Sequence, residues 1–294
     1  MLNFISCTWD RFLFVRIDIK QYAFLRIGIG FLITLYLINL LPYYSVHYSF
    51  NAWLSPMGDL DLYHSGSWSI LFWLQSQTQS WYFLYSAIAC SMLYTLGAAT
   101  KISGCCTLIA LISLWNKNPL LLDGDDAILR VMLFFLLFSP SGRVLSIDAF
   151  FRLQTRHSPV WPLRMMQIQF AFVYFVSGWV KFHSPEWLDG SVLQTVLIHP
   201  EYSRFNLSAW MSYEWLVKLL GVISGLIMWW ELLFPLLCLQ RHARFICVIF
   251  GIIFHLGLLL MMNLREFSII MLVLYMVFIP NRYFCSNRSS SSQN

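Results

Sequence analysis

Charge is what this sequence has least of. Only 11% of its 294 residues are Asp, Glu, Lys or Arg, against roughly a quarter in soluble domains. With 59% hydrophobic residues, such a chain cannot hide its apolar surface inside one water-facing globule, and a soluble class is excluded. The basic residues behind the net charge of +5 form no stripe, which excludes a nucleic-acid footprint. Short alternating segments are missing too, and with them the transmembrane β-barrel. Clusters of His, Cys and carboxylates with ligand spacing are absent, as are Gly-rich phosphate loops, so no metal is predicted. Cysteine is missing from the segments expected to face outward. Cys7, Cys90, Cys105, Cys106, Cys238, Cys247 and Cys285 fall in apolar runs or expected cytoplasmic segments and read as small apolar residues. The adjacent Cys105 and Cys106 lack metal or thioredoxin spacing.

What is present is long, continuous runs of Leu, Ile and Phe. These predict an all-α integral membrane protein. The opening stretch, MLNFISCTWDRFLFVRIDIK, mixes Asp10, Arg11, Arg16, Asp18 and Lys20 into apolar residues. A signal peptide needs an unbroken apolar core, so residues 1–22 are expected to form an amphipathic helix on the membrane surface. Residues 23–282 are expected to form one membrane domain, a bundle of about eight transmembrane helices. Its spans are Ala23–Leu41, Trp81–Gly97, Ile102–Leu114, Ala127–Phe138, Met165–Val180, Leu216–Leu239, Phe245–Met262 and Phe267–Pro280. The third, fourth and eighth fall short of the ~20 residues that cross hydrocarbon. Trp68–Leu74 is too brief to cross and suits an interfacial or re-entrant helix. The polar tail, residues 283–294, is expected to be disordered.

Orientation follows from the basic residues. With the N-terminus inside, cytoplasmic segments hold Arg11, Arg16, Lys20, Lys101, Arg143, Arg152, Arg156, Arg241, Arg244, Arg282 and Arg288. The outer face holds only Lys117, Lys181, Arg204, Lys218 and Arg265. Both termini are therefore expected in the cytoplasm, with Lys181 and Asn118 on the outer face. The loop Pro42–Ser80, which carries Asp59, Asp61 and His64, falls on that face as well.

Ionisable residues inside apolar runs are costly and normally face the bundle interior. Arg26, Arg130, Glu231 and His255 are of this kind. Buried pairs that hold helices in register would account for them, with Glu231 and His255 supporting each other or Arg130. Lys181 closes an apolar helix in YFVSGWVKFHSPEW, Tyr174–Trp187. An ammonium there is either an interfacial anchor or, when desolvated, a general base. Trp179, Trp187 and Trp230 could wall an apolar ligand or belong to an interface belt.

Five stretches in one order carry a resemblance. They are RIGIGFLITLYLI at Arg26–Ile38, NPLLLDGDDAILRVMLFFLLFSPSG at Asn118–Gly142, YFVSGWVKFHSPEWLDG at Tyr174–Gly190, the acidic span around Glu231 and Pro235, and FHLGLLLMMNLREFSIIM at Phe254–Met271. Together they resemble the HTTM domain, the membrane module shared by vitamin K-dependent γ-carboxylases and many bacterial membrane proteins. The resemblance implies that Lys181 stands at the position of the carboxylase base, and His255 at that of the span histidine. Asn118 stands where the carboxylases carry a second histidine. The carboxylases continue into a large luminal region that binds propeptide and glutamate, whereas this sequence ends shortly after its last expected span.

The chemistry thus implied is quinol-dependent epoxidation of the carboxylase type in a bacterial plasma membrane. A reduced, vitamin K-like quinone enters from the bilayer, Lys181 removes a phenolic proton, and His255 or Asn118 steadies developing negative charge. Two alternatives from other classes stand beside it. Some HTTM proteins resemble membrane components that mature or export small antimicrobial peptides, as in sporulation-delaying toxin systems. In that case Lys181 contacts a carboxylate of a small peptide or protein substrate without chemistry. The other alternative is a non-enzymatic lipid-binding protein.

Overall fold

A computed structural model describes residues 10, 12–53, 68–121, 123–151 and 157–284. Asp59, Asp61 and His64 lie outside the described residues, as do Cys7, Arg11, Arg152, Arg156, Cys285, Arg288 and the tail from residue 285. Each expected span is occupied by a helix: α1 Lys20–Asn39, α2 Gln77–Leu96, α3 Thr100–Lys117, α4 Gly124–Leu137, α5 Trp161–Phe182, α6 Glu214–Leu239, α7 Arg241–Met261 and α8 Arg265–Leu274.

Three of these, α1, α6 and α7, are long and apolar enough to cross a membrane on their own. The difference from the expected eight has a physical origin. At ~1.5 Å per residue, α4 and α8 reach only about 21 and 15 Å, against ~30 Å of hydrocarbon. Helices α2, α3 and α5 have the length but are diluted by Gln77, Gln79 and Ser91, by Lys101, Asn116 and Lys117, and by Arg164, Gln167 and Gln169. On α6 and α7 the large side chains of Leu226, Leu236, Phe245, Ile246, Ile253 and Leu260 point outward. Such an apolar exterior on two long helices suits a lipid surrounding.

The N-terminal segment differs from the expected single helix. Arg16–Asp18 forms strand β1, paired antiparallel with β2, His157–Pro159, and Ile17 and Asp18 face inward. The backbone groups that a surface helix would satisfy internally are paired across this two-stranded ladder instead. At Trp68–Leu74 the chain makes a single 3₁₀ turn, Ile70–Phe72.

By its internal contacts the chain divides into two compact units, Met1–Met166 with Ile279–Asn294, and Gln167–Phe278. In the first, α1 packs on α2 and α4, α2 on α3, and α3 on α4, which closes a four-helix circuit. Tyr22, Leu25, Arg26, Ile29, Ile33 and Leu37 form the buried face of α1 at helical spacing. Arg26 is fully buried and donates to the carbonyls of Ser141 (2.6 Å) and Leu145. Lys101 donates to those of Leu137 and Ser139. These two cations thus serve carbonyls at and beyond the end of α4, where no further helical turn supplies N–H donors. The N-cap of α3 is Ala99, which has no acceptor of its own. The Asp148 carboxylate supplies one, accepting from Ala99 N, Thr100 N and Thr100 Oγ1, all at 2.8 Å. The end of the unit returns to its start, since Asn281 Oδ1 accepts from Asp18 N and Gln21 Nε2 donates to Ile279 O.

In the second unit α6 packs on α7 and on the short helices Pro185–Leu188 and Val192–Ile198, and α7 packs on α8. Gly178 of α5 lies directly on α6. A Cβ built there would meet Leu232 Cα at 2.7 Å, closer than packed atoms tolerate. Gly251 of α7 makes room for the Tyr275 hydroxyl in the same way. Phe170, Tyr174, Trp230, Phe234 and Tyr275 form an aromatic cluster with centroids 4.4–6.4 Å apart, within the range of favourable ring pairs.

Candidate functional site

The site is built from three helix segments of the second unit. Helix α5 presents Tyr174, Ser177 and Lys181 at spacings of three and four residues, which places them on one face. Gly178, beside that face, lets α5 approach the backbone of α6 at Glu231 and Leu232. Pro235 lies four residues after Glu231 and offers no N–H to the Glu231 carbonyl, so the α6 ladder is interrupted where the acid sits. The result is an ion pair. Lys181 Nζ lies 2.6 Å from Glu231 Oε2 and 2.6 Å from Ser177 Oγ, donating to both. Its ammonium also stands 5.0 Å from the centre of the Trp187 ring. The two side chains differ in environment, at 18% exposed for Lys181 and 4% for Glu231. Removing either member of such a pair strands a charge, which costs about 3–5 kcal/mol when fully buried and less where water reaches.

A second polar group comes from α7. His255 is 1% exposed, and its Nε2 lies 2.6 Å from the Tyr174 hydroxyl, which is in turn 2.6 Å from the Tyr275 hydroxyl. In either tautomer this chain engages Nε2 alone. Nδ1 is buried without a hydrogen-bond partner among the described residues. A buried polar atom left in this condition is costly and calls for a missing partner.

Both groups line one cavity of about 210 Å³. Its remaining wall is nearly all apolar, with Val173, Val192, Leu193, Val196, Ile227, Phe254, Leu258, Met262, Leu264, Phe267 and Met271. The volume is more than ten times the ~10–15 Å³ that admits one water. An apolar chamber with a few convergent polar groups is the usual form of a small-molecule site. The polar groups that it gathers are the Lys181–Glu231 pair, Ser177, Tyr174 and His255.

The residues singled out in the sequence are distributed unevenly. Lys181, His255, Glu231 and Trp187 meet at this cavity. Trp230 is buried beside it, but its Nε1 is committed to Cys247 Sγ at 3.0 Å, and its ring faces Tyr174, Phe250 and Phe254. Trp179 is half exposed, stacks on Phe175 and meets His183 at a tilt. Neither of these two lines the cavity. Glu231 pairs with Lys181, and His255 pairs with Tyr174, in place of the expected contacts with each other or with Arg130. Asn118 belongs to the first unit, where it is fully buried and its Nδ2 donates to His47 O. Arg130, also in the first unit, donates to Asp126 O and stacks over Trp115. Tyr174, Ser177 and Tyr275 were not anticipated in these roles. The only signal was their hydroxyls in apolar helices, at helical spacing from Lys181 in the first two cases.

No curated protein and no solved structure matches this chain significantly. The family model of the HTTM domain matches residues 14–283. That range takes in both units, the Lys181–Glu231 pair and His255, and the chain belongs to the HTTM-domain family.

Proposed function

We propose that the second unit is a proton-abstraction site for a lipophilic quinol, carried by a multi-pass protein of a bacterial plasma membrane. We further propose that all eight helices are membrane-embedded and that both termini are cytoplasmic, as the distribution of Lys and Arg favours. One observation carries the functional reading. Lys181 is hydrogen-bonded to a buried carboxylate on the wall of an apolar cavity. A lysine that only anchored the helix would carry its charge out to the interface.

The pair has two protonation isomers, ammonium with carboxylate and amine with carboxylic acid. A low dielectric narrows the gap between them because it penalises the charged form. In the neutral isomer Glu231 holds the proton and the Lys181 nitrogen carries a lone pair. Lys181 then accepts a phenolic proton, and its renewed positive charge faces the oxygen that lost it. The net transfer is from the phenol to Glu231, relayed by Lys181. His255 Nδ1 would hydrogen-bond a second ring oxygen, with the ring held by the Tyr174–Tyr275 hydroxyl pair at Nε2. The Trp187 ring, 5.0 Å from the ammonium, adds a cation–π contact to the charged form. When bound, a reduced quinone would supply the phenolic proton and the electrons for the reaction with oxygen that the carboxylase resemblance implies. Asn118 has no assigned step.

The test is extraction of purified protein followed by mass spectrometry for bound quinone, with Lys181→Met in parallel. Recovery from the native chain and loss from a folded Lys181→Met variant supports the reading. A native chain that retains no quinone when purified from quinone-containing membranes, and consumes no added quinol, overturns it.

A further inference from the structure

The first unit has a cavity of its own. It measures about 390 Å³ and opens between the start of α3, the turn after α4 and strand β2. Lys101, Ser139, Arg143, His157 and Ser158 line it. Lys101 and Arg143 are near enough for their charges to repel. Among the described residues the wall holds one carboxylate, Asp148, which accepts from three donors at the start of α3. The cavity therefore presents a positive balance. Lys101 donates to two carbonyls at the end of α4.

A second observation comes from the same connection between α4 and α5. Phe150 and Phe151 are 86% and 84% exposed, and Leu145 and the wall residue Phe138 are each 53% exposed. Aromatic rings left this bare beside a basic cavity, in an integral membrane protein, match the amphipathic boundary of a bilayer. Paired cations recognise a phosphate, and neighbouring exposed rings recognise acyl chains. One ligand class offers both.

We infer that this cavity binds the phosphate group of an anionic phospholipid, with Lys101, Arg143 and His157 as headgroup contacts and Phe150 and Phe151 against its chains. Basic cavities at the ends of membrane helices are a recurrent means of holding such lipids. The inference is independent of the quinol reading, since the two cavities share no residue.

The experiment is native mass spectrometry of the full chain in detergent, titrated separately with phosphatidylglycerol and phosphatidylcholine. Phosphatidylglycerol is expected to bind preferentially, and the preference to shrink as salt rises from roughly 0.05 to 0.5 M, where screening shortens to a few ångströms. Arg143→Gln should weaken phosphatidylglycerol binding about fivefold, the effect of one basic residue near an anionic lipid surface. The pair Phe150→Ser with Phe151→Ser should weaken both lipids. Equal binding of the two lipids by the native chain overturns the inference, and does so even where a variant fails to fold. Full competition by inorganic phosphate, with binding unaffected by the Phe150/Phe151 changes, would identify a free-anion site and overturn the phospholipid assignment.

Discussion

At the scale of single residues, the Lys181–Glu231 pair sets two roles against each other. If it acts as a proton relay, Lys181→Arg should fold and insert normally yet lose the protein's biological output, because guanidinium keeps the charge but does not release its proton. Full output from that variant would make Lys181 an anchor. A companion double variant, Lys181→Met with Glu231→Leu, removes both charges together. Replacing a buried pair by apolar residues of similar volume is often neutral or stabilising, so thermal unfolding in detergent should change little while output disappears. Glu231→Gln alone should be the less stable protein, by about 2–4 kcal/mol, because Lys181 then lacks its counter-charge. Tyr174→Phe should leave the cavity's shape intact and remove the bond that orients His255, so its loss should fall on turnover more than on quinone retention. Part of this was legible. Lys181, Glu231 and His255 each stand out as a polar residue in an apolar run, where hydropathy makes them conspicuous. Their pairing was not legible, because the partners are separated by 50 and 81 positions and no periodicity links residues on different helices. Ser177, Tyr174 and Tyr275 were silent for the opposite reason, since hydroxyls are ordinary in membrane helices.

At the scale of helices, close approach decides what side chains can reach. Gly178 is the contact point of α5 and α6, and Lys181 lies one turn beyond it. Gly178→Ala should force the two backbones apart and lengthen the Lys181–Glu231 bond. The expected readout is a lower melting temperature together with lost quinone retention, and a variant unchanged in both would remove the close-packing argument. All eight helices could be found from apolar runs, and α3 merely extends the expected Ile102–Leu114 by two or three residues at each end. The strand Arg16–Asp18 could not be found in this way. Its partner lies at His157–Pro159, and three residues are too few for an alternating pattern to declare itself. The N-cap of α3 illustrates the same limit, because its acceptor, Asp148, arrives from 48 and 49 positions away.

At the scale of the whole molecule, topology is the first matter to measure. Helix α6 can cross a membrane unaided, so single cysteines placed at Ser208 and His242, on either flank, should be labelled from opposite sides. Labelling of both from one side would remove α6 as a span and with it the proposed orientation. Composition alone established the membrane class, but the division into two units was hidden. Their boundary falls inside the continuous helix α5, between Met166 and Gln167, where no loop or linker marks it.

That division also has a bearing on biogenesis. The first unit takes in Ile279 and Asn281, which bond to Gln21 and Asp18 near its start. The part of the protein made first therefore becomes complete only when the ribosome has passed the whole of the second unit. Until then Asp18 and Gln21 wait without these partners, and the nascent four-helix assembly is a client for whatever machinery shelters it in the membrane. A chain released after Phe278 should consequently be lost chiefly through its N-terminal half, and protease mapping of that truncation would locate the first cuts there.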